Sequence, residues 1–361
     1  MADFKVFDAD GHVMEKDEEL IDYFDPPFKG RHELLIEPLF PSLDRINRVA
    51  RSLLDVHLKE TTERGKEVPK HGIEAAEEAT AEQWLKFLDA GGIEGVVLYP
   101  TLGLSFGAVW DADWAVYLAR AYNNWLYHRF LKVNTRLRGM ALIPIQNPSE
   151  AVKELRRAVG ELGMVGAVLP GAGLRRALGE RFYFPIYETA QELDVPLAIH
   201  AGSAQGMGLD IFERAIEART LSHSFGQIIQ MTSLMFNGVF DLFPRLRFVF
   251  LEGGVAWVPF ALERMQRAYR FWAIQAPELK REPKDHLTSG RLFFHAEVHD
   301  PFLPMVIDLI GDESLIYASD FPHEPTEEVL EELREFQQRP DLSDETKQRI
   351  LYENAHRLYK L

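Results

Sequence analysis

Carboxylate and imidazole side chains stand where several short apolar segments of the chain end. An unpaired charge in apolar surroundings is costly, so apolar strands alone give no reason for these residues. A divalent cation would supply the missing partner. The i, i+2 spacing in Asp10-Gly11-His12 places both side chains on one face of an extended strand. The segments end in these residues: Asp10 with His12, His200, Glu252, His295 with Glu297, and Asp320.

The predicted metal ligands are Asp10, His12, His200 and Asp320. Histidine and carboxylate together suit one divalent ion of zinc, manganese or iron. Each residue alone has an ordinary alternative: His12 in a turn, His200 as a hydrogen-bonded core histidine, Asp320 as a cap. The prediction therefore depends on their joint occurrence at the ends of the first, fifth and eighth segments.

Other residues are weaker candidates for the same site. Asp320, Glu252 and His223 are the catalytic candidates, and an ordinary surface position is the alternative for His223. His295 and Glu297 are expected to share a face of the seventh segment and to contact substrate, although a structural pair would have the same spacing. His323 could contact substrate or orient Asp320, with a turn residue beside Pro322 as the alternative, and Glu15 could reach the site from the first loop but is more simply expected to be exposed.

The elements that would position these residues alternate between strand and helix. Apolar runs of strand length are separated by segments of helical period, such as 150–162 and 111–131. This alternation predicts an α/β fold, a (β/α)8 TIM barrel, for which about 250 residues are typical. The rival doubly wound sheet needs a glycine-rich loop after an early strand, and the sequence has none. The predicted strands are 4–10, 95–100, 139–144, 166–170, 196–200, 247–252, 292–297 and 315–320.

The surplus length falls mainly after the first strand. We expect one metal-dependent barrel domain over residues 1–361, with residues 15–80 as an insertion or lid over the active-site face. The formal charge of −16, from 56 acidic and 40 basic residues, argues against nucleic acid or an anionic membrane surface as a partner. The absence of cysteine excludes disulfides, thiolate metal sites and thiol nucleophiles. No signal peptide or membrane span is visible, which predicts a cytoplasmic enzyme with a small-molecule substrate.

Motifs along nearly the whole chain resemble the amidohydrolase-related family that includes aminocarboxymuconate-semialdehyde, resorcylate and carboxyvanillate decarboxylases. The motifs are Phe7-Asp8-Ala9-Asp10-Gly11-His12, Ala121-Tyr122-Asn123-Asn124-Trp125, Gly139-Met140-Ala141-Leu142-Ile143-Pro144, Phe243-Pro244-Arg245-Leu246-Arg247 and Ala318-Ser319-Asp320-Phe321-Pro322-His323. The resemblance implies the same four ligands, a proton-transfer role for Asp320, and a homodimer. It also implies a histidine on the sixth strand of the decarboxylases, where this chain has Glu252.

Three functions follow as hypotheses. The first is a hydrolase of an amide, ester or lactone, in which a metal-activated water attacks and Asp320 or Glu252 moves the proton. The second is non-oxidative decarboxylation of an aromatic or unsaturated acid, with Arg264 as a candidate to receive the substrate carboxylate. The third is a non-catalytic binding barrel, which predicts no bound metal. The carboxylate at position 252 favours the first of these.

Overall fold

Eight parallel strands form the centre of the computed structural model, which describes residues 4–44 and 79–361. Each strand pairs with the next one along the chain, from β1 to β8. The predicted (β/α)8 barrel is therefore confirmed. The strands are β1 Val6–Val13, β2 Ile93–Pro100, β3 Leu137–Leu142, β4 Gly166–Pro170, β5 Leu197–His200, β6 Phe248–Leu251, β7 Leu292–His295 and β8 Leu315–Ile316.

Helices alternate with these strands and cover the barrel. The α-helices of the described residues are α1 Asp17–Leu20, α2 Ala81–Gly91, α3 Ala112–Leu126, α4 Pro148–Gly160, α5 Phe184–Leu193, α6 Ala215–Phe236, α7 Val239–Leu242, α8 Trp257–Trp272, α9 Pro283–Leu287, α10 Leu303–Ile310, α11 Thr326–Gln338, α12 Asp344–Gln348 and α13 Asn354–Tyr359. The π-helical turns Tyr127–Leu131 and Arg349–Glu353 continue α3 and α12. No helix in these described ranges is long and apolar enough to cross a membrane.

The barrel closes between its last and first strands through separate hydrogen bonds beyond the end of β8. The backbone N–H of Ala9 donates to the carbonyl of Tyr317 at 3.1 Å, and the N–H of Asp320 donates to the carbonyl of Asp10 at 3.1 Å. β8 is consequently shorter than the predicted 315–320, because the residues after Ile316 contact β1 individually. Asp10 and the backbone of Asp320 are brought into direct contact by this closure.

β1 extends to Val13, beyond the predicted end at Asp10, so that Asp10 and His12 both lie within a strand. Gly11 between them is required by packing: a Cβ there would lie 2.2 Å from the Trp84 indole. The indole Nε1–H of Trp84 donates to the carbonyl of His12 at 3.1 Å. Glycine thus lets α2 lie close against the strand that carries two candidate ligands.

Side chains on β6 and β7 show which residues face the barrel interior. Phe250 and Phe294 stack with ring centroids 5.5 Å apart, and both contact Trp257 on α8. They therefore face the helix layer. Because successive side chains of a strand point to opposite faces, Leu251 and His295 face inward.

Only part of the predicted insertion at 15–80 lies within the described residues. The ring of Phe40 contacts Phe106, which follows β2, at 6.5 Å between centroids. The carbonyl of Leu43 accepts from the N–H of Ala204 at 3.3 Å, and Ser42 O accepts from Gln205 Nε2 at 2.7 Å. Residues 40–43 therefore lie against the loops after β2 and β5. A lid formed by residues 15–80 and a single domain over 1–361 both remain predictions, since 45–78 fall outside the described residues.

Candidate metal centre

His12 and His200 present the same ring nitrogen to the barrel interior. Nδ1 of His12 lies 2.9 Å from the carbonyl of Pro100, and Nδ1 of His200 lies 2.9 Å from the carbonyl of Ala201. A carbonyl only accepts, so each Nδ1 carries the hydrogen. This leaves Nε2 of each ring facing the acidic residues, which is the arrangement found in metal-binding histidines whose other nitrogen donates to a carbonyl.

Three carboxylates surround Nε2 of His12. Its distances are 3.3 Å to Asp320 Oδ1, 3.5 Å to Glu252 Oε1 and 3.6 Å to Asp10 Oδ1. Nε2 is buried, yet it has no hydrogen-bond partner within the described part of the chain. Asp10 also approaches His200, with Oδ2 3.1 Å from Nε2.

These separations fit one divalent cation. Donor atoms bound at about 2.1 Å to a shared ion lie roughly 3.0–3.4 Å from one another. The donor atoms form two groups that share His12, one with Asp10 and His200 and the other with Glu252, Asp320 and His323. The donors are nitrogen and carboxylate oxygen only, which suits zinc, manganese or iron.

The backbone is strained at two of these residues. Glu252 has φ 57° and Asp320 has φ 53°, both in the left-handed region that non-glycine residues seldom occupy. Such a conformation costs about 1–3 kcal/mol and occurs most often at functional sites. Both residues come directly after a strand or its extension, at the carboxyl end of the barrel, where barrel enzymes have their active sites.

Negative charge is in excess at this centre. In the described ranges, no lysine or arginine lies within 4.0 Å of the carboxylates of Asp10, Glu252 or Asp320. Burial lowers the pKa of His200, but the charges of Asp10 and Glu252 outweigh it and raise that pKa to about 10. Burial and the charge of Glu252 raise the pKa of Asp320 well above its usual range. Without a metal ion, the centre therefore holds extra protons.

His323 lies behind Asp320. Its Nδ1 is 2.7 Å from Asp320 Oδ1, its Nε2 is 2.9 Å from Thr101 Oγ1, and its ring stacks on that of His12 at 4.1 Å. His223 reaches the centre from α6, with Nε2 3.7 Å from Glu252 Oε2. Burial lowers the pKa of His223 to about 4, so the imidazole is neutral near pH 7.

Comparison with known proteins identifies the family. A family model described as Amidohydrolase matches residues 47–361. The chain belongs to the amidohydrolase family. It is 28% identical over 293 residues to gamma-resorcylate decarboxylase of Polaromonas sp., which covers 77% of this chain and 86% of that protein. It is 27% identical over 291 residues to 2-keto-4-carboxy-3-hexenedioate hydratase of Sphingobium sp., which covers 76% of this chain and 81% of that protein.

A solved structure shows the same fold. The dihydroxybenzoic acid decarboxylase of Polaromonas sp., with bound manganese and the inhibitor 2-nitroresorcinol, superposes with a TM-score of 0.69 at 21% identity. The match covers 99% of this chain and 97% of that one. The comparisons support an enzyme, and one divalent metal ion fits its candidate centre. They do not confirm the hydrolase that the sequence favours, and the homodimer stays a prediction.

Three further residues named from the sequence, His295, Glu297 and Arg264, differ in their exposure. Glu297 is exposed, and its carboxyl group contacts Gly254, where a Cβ would lie 3.1 Å from it. β7 ends at His295, so Glu297 lies beyond the strand, and the shared face of the two residues and their contact with substrate stay predictions. His295 is buried, and its Nδ1 has no hydrogen-bond partner in the described residues. Arg264 has a side chain that is 58% exposed, with Glu263 at 3.7 Å, so it is a surface residue.

The expectation that Glu15 is exposed is wrong. Glu15 is 5% exposed, and its carboxylate accepts from the backbone N–H groups of Thr101 at 3.0 Å, Leu102 at 3.1 Å and Gly103 at 3.0 Å. Thr101, which contacts His323, had no sequence signal at all. Both residues lie in loops, one after β1 and one after β2, and loop contacts of this kind leave no periodic pattern in the sequence.

Proposed function

We propose that this chain is a metal-dependent decarboxylase of a hydroxylated aromatic or unsaturated carboxylic acid, with Asp10, His12, His200 and Asp320 as the metal ligands. The observation that carries the proposal is the buried, unpartnered Nε2 of His12 with three carboxylates around it. The decarboxylases among the relatives support the reaction class.

An acidic substrate needs positive charge at this centre. Three carboxylates repel an anion, and the described residues place no arginine or lysine against them. A divalent cation held by Asp10, His12, His200 and Asp320 would supply that charge and would bind the acidic oxygens of the substrate.

Asp320 is the proposed proton donor. Its carboxyl group is 21% exposed, so it can contact a substrate while it remains mostly shielded from water. Transfer of its proton to the ring or alkene carbon that bears the carboxylate allows the bond to that carboxylate to break. The electron pair of that bond re-forms the double bond of the ring or alkene, CO₂ leaves, and Asp320, now a carboxylate, regains a proton from water.

The position of His223 bears on the main objection from the sequence. Decarboxylases of the family are expected to have a histidine where this chain has Glu252. Here His223 of α6 lies 3.7 Å from Glu252, so an imidazole is present at this side of the centre although it comes from a different element. A neutral imidazole can donate a hydrogen bond to a substrate oxygen. We propose that His223 and Glu252 together replace the missing histidine.

The test is product analysis with manganese-loaded protein. Gamma-resorcylate and other ortho-hydroxylated aromatic acids are incubated in D₂O, with CO₂ release followed over time. We expect CO₂ together with one deuterium at the carbon that lost the carboxylate. Asp320→Asn, which keeps the size but lacks the transferable proton, should lose at least about a hundredfold in rate.

Hydrolysis is the outcome that would overturn the proposal. Amides, esters and lactones are assayed in parallel in ¹⁸O-labelled water. Turnover of these compounds with label in the product, and no CO₂ from any acid, would restore a hydrolase in which Glu252 acts as the general base.

A further inference from the structure

Asp320 is held beside His323 by contacts of both its backbone and its side chain. It stands beyond the end of β8 in a left-handed conformation, where its N–H donates to the carbonyl of Asp10 at 3.1 Å and its carbonyl accepts from the N–H of His323 at 2.9 Å. Its Oδ1 is shared between His12 Nε2 at 3.3 Å and His323 Nδ1 at 2.7 Å. The shorter contact shows that His323 sets the direction of the carboxyl group.

His323 in turn is fixed by Thr101. The Thr101 hydroxyl contacts Nε2 of His323 at 2.9 Å, on the opposite side of the ring from Asp320. Thr101 is 1% exposed and His323 is 7% exposed, so water does not compete for either group. With both ring nitrogens engaged and the ring stacked on His12, the imidazole has one orientation.

Thr101 is held by Glu15. Threonine 101 follows β2 directly, at the start of the 3-10 helix Leu102–Ala108. The carboxylate of Glu15 accepts the backbone N–H groups of residues 101 to 103, which would otherwise be unsatisfied at the start of that helix. Three hydrogen bonds to one carboxylate fix the position of the loop that begins at Thr101. Glu15 is three residues after His12 in the sequence, so the loop after β1 fixes the loop after β2.

We propose that Glu15 and Thr101 are positioning residues that set the orientation of Asp320 through His323. The inference rests on the proposed function, since it takes Asp320 to be a metal ligand and proton donor. The line of contacts runs from Glu15 to the Thr101 backbone, from the Thr101 hydroxyl to His323, and from His323 to Asp320. It connects the ends of β1, β2 and β8, and neither positioning residue touches the metal position.

The test uses two substitutions at Thr101 and a matched control. Thr101→Val keeps the shape but lacks the hydroxyl, whereas Thr101→Ser keeps the hydroxyl. Thr189→Val is the control, because Thr189 is also buried but lies on α5, away from the centre. Manganese binding is measured by electron paramagnetic resonance titration, with folding checked by circular dichroism.

We expect Thr101→Val to weaken manganese binding about tenfold, at the low end of the loss that follows removal of an outer hydrogen-bond partner, because Thr101 acts on the ligand Asp320 only through His323. Thr101→Ser and Thr189→Val should stay within about twofold of the unsubstituted protein. With a substrate in hand, the rate constant kcat should fall in Thr101→Val while KM changes little. A structural role alone would not produce this difference between valine and serine.

Glu15→Gln tests the first contact in the line. One amide oxygen cannot accept all three N–H groups, so we expect Glu15→Gln to weaken manganese binding to a similar extent. Because both residues act on the same carboxyl group, the double variant Glu15→Gln/Thr101→Val should bind no more weakly than about the worse single variant.

The outcomes separate this inference from the proposed function. If the unsubstituted protein binds no manganese, the proposed metal centre is wrong, and this inference fails with it. If it binds manganese and Thr101→Val binds equally well, only the positioning role is wrong. Additive losses in the double variant would show that Glu15 does not act through Thr101.

Discussion

Two groups of carboxylates around buried histidines lie at opposite ends of the barrel. At the amino-terminal end, in the helices that precede β6 and β7, Asp241 accepts from His286 Nε2 at 3.1 Å, Arg281 Nε at 3.0 Å and the N–H of Lys280 at 2.7 Å. At the carboxyl end, His12 and His200 are surrounded by three carboxylates and no arginine or lysine of the described residues.

The difference between the two groups is their charge balance. Burial raises the pKa of Asp241, but the Lys280 N–H, Arg281 and His286 outweigh it and lower that pKa below its usual value. At Asp320, burial and Glu252 raise the pKa instead. The first group is balanced in charge without a ligand and stabilises the fold, although Nδ1 of His286 has no hydrogen-bond partner in the described residues. The second is incomplete without a cation, which is the property of a site where stability is given up for function.

The largest expected effect comes from removing a histidine of each group. His200→Ala should lose the metal ion, since it deletes a proposed ligand, and decarboxylation should fall by more than about a hundredfold. His286→Ala should keep about one equivalent of metal but lose about 1–3 kcal/mol of stability, because Asp241 loses a buried hydrogen bond. Metal content by elemental analysis and urea unfolding measure both effects.

The comparison fails if the two variants behave alike. Full metal content in His200→Ala would remove this residue from the centre. Loss of metal in His286→Ala, with the fold intact by circular dichroism, would show that the amino-terminal group also serves the site.

The sequence predicted the ends of strands better than the loops between them. The proximity of Asp10, His12, His200 and Asp320 could be predicted because each stands at or near the end of an apolar run, and parallel strands bring their carboxyl ends together. The exact ends were less certain: β1 continues to Val13, because Gly11 lets the Trp84 indole pack against that strand.

Residues placed by loops and helices were harder to predict. Glu15 resembles an exposed acid in the sequence, and its burial depends on three N–H groups that lie 86 to 88 residues later in the chain. The pairing of His295 with Glu297 was predicted from strand spacing, but the chain leaves the strand at His295. Such contacts depend on where a loop turns, and no spacing rule records this.

A second expected effect is the pH dependence of the metal-free protein. His200 has a folded-state pKa raised to about 10, above the ordinary value of 6.5. Its contribution to stability is therefore fully present below pH 6.5 and is lost as the pH rises through 10. The raised pKa of Asp320 acts in the same direction. We expect the metal-free protein to become less stable between pH 6.5 and 10, as measured by urea unfolding after chelation.

His286 gives the opposite trend and serves as the internal comparison. Burial lowers its pKa below 6.5, so its contribution to stability is present above that value and is lost as the pH falls below it. In His286→Ala, the loss of stability as the pH falls below 6.5 should therefore be smaller. The loss of stability at alkaline pH should stay unchanged. An alkaline loss that persists in metal-free His200→Gln would show that another group causes it.

The smallest expected effect comes from removing one charge at each end. In the metal-free protein, Asp320→Asn should raise the free energy of unfolding by roughly 1–2 kcal/mol, since the folded state no longer has to protonate a buried carboxylate. Asparagine also tolerates the left-handed backbone at this position. Asp241→Asn should lower the free energy of unfolding by about 1–3 kcal/mol, because the carboxylate that accepts three hydrogen bonds is lost.

The two groups differ most clearly if Asp320→Asn and Asp241→Asn change the free energy of unfolding in opposite directions. The substitutions are chemically identical, so any difference arises from the surroundings of each carboxyl group. Urea unfolding of both variants at pH 7, after chelation, measures the sign directly. If Asp320→Asn is also destabilised, then the Asp320 carboxyl group stabilises the metal-free protein, and the excess negative charge inferred around His12 does not exist.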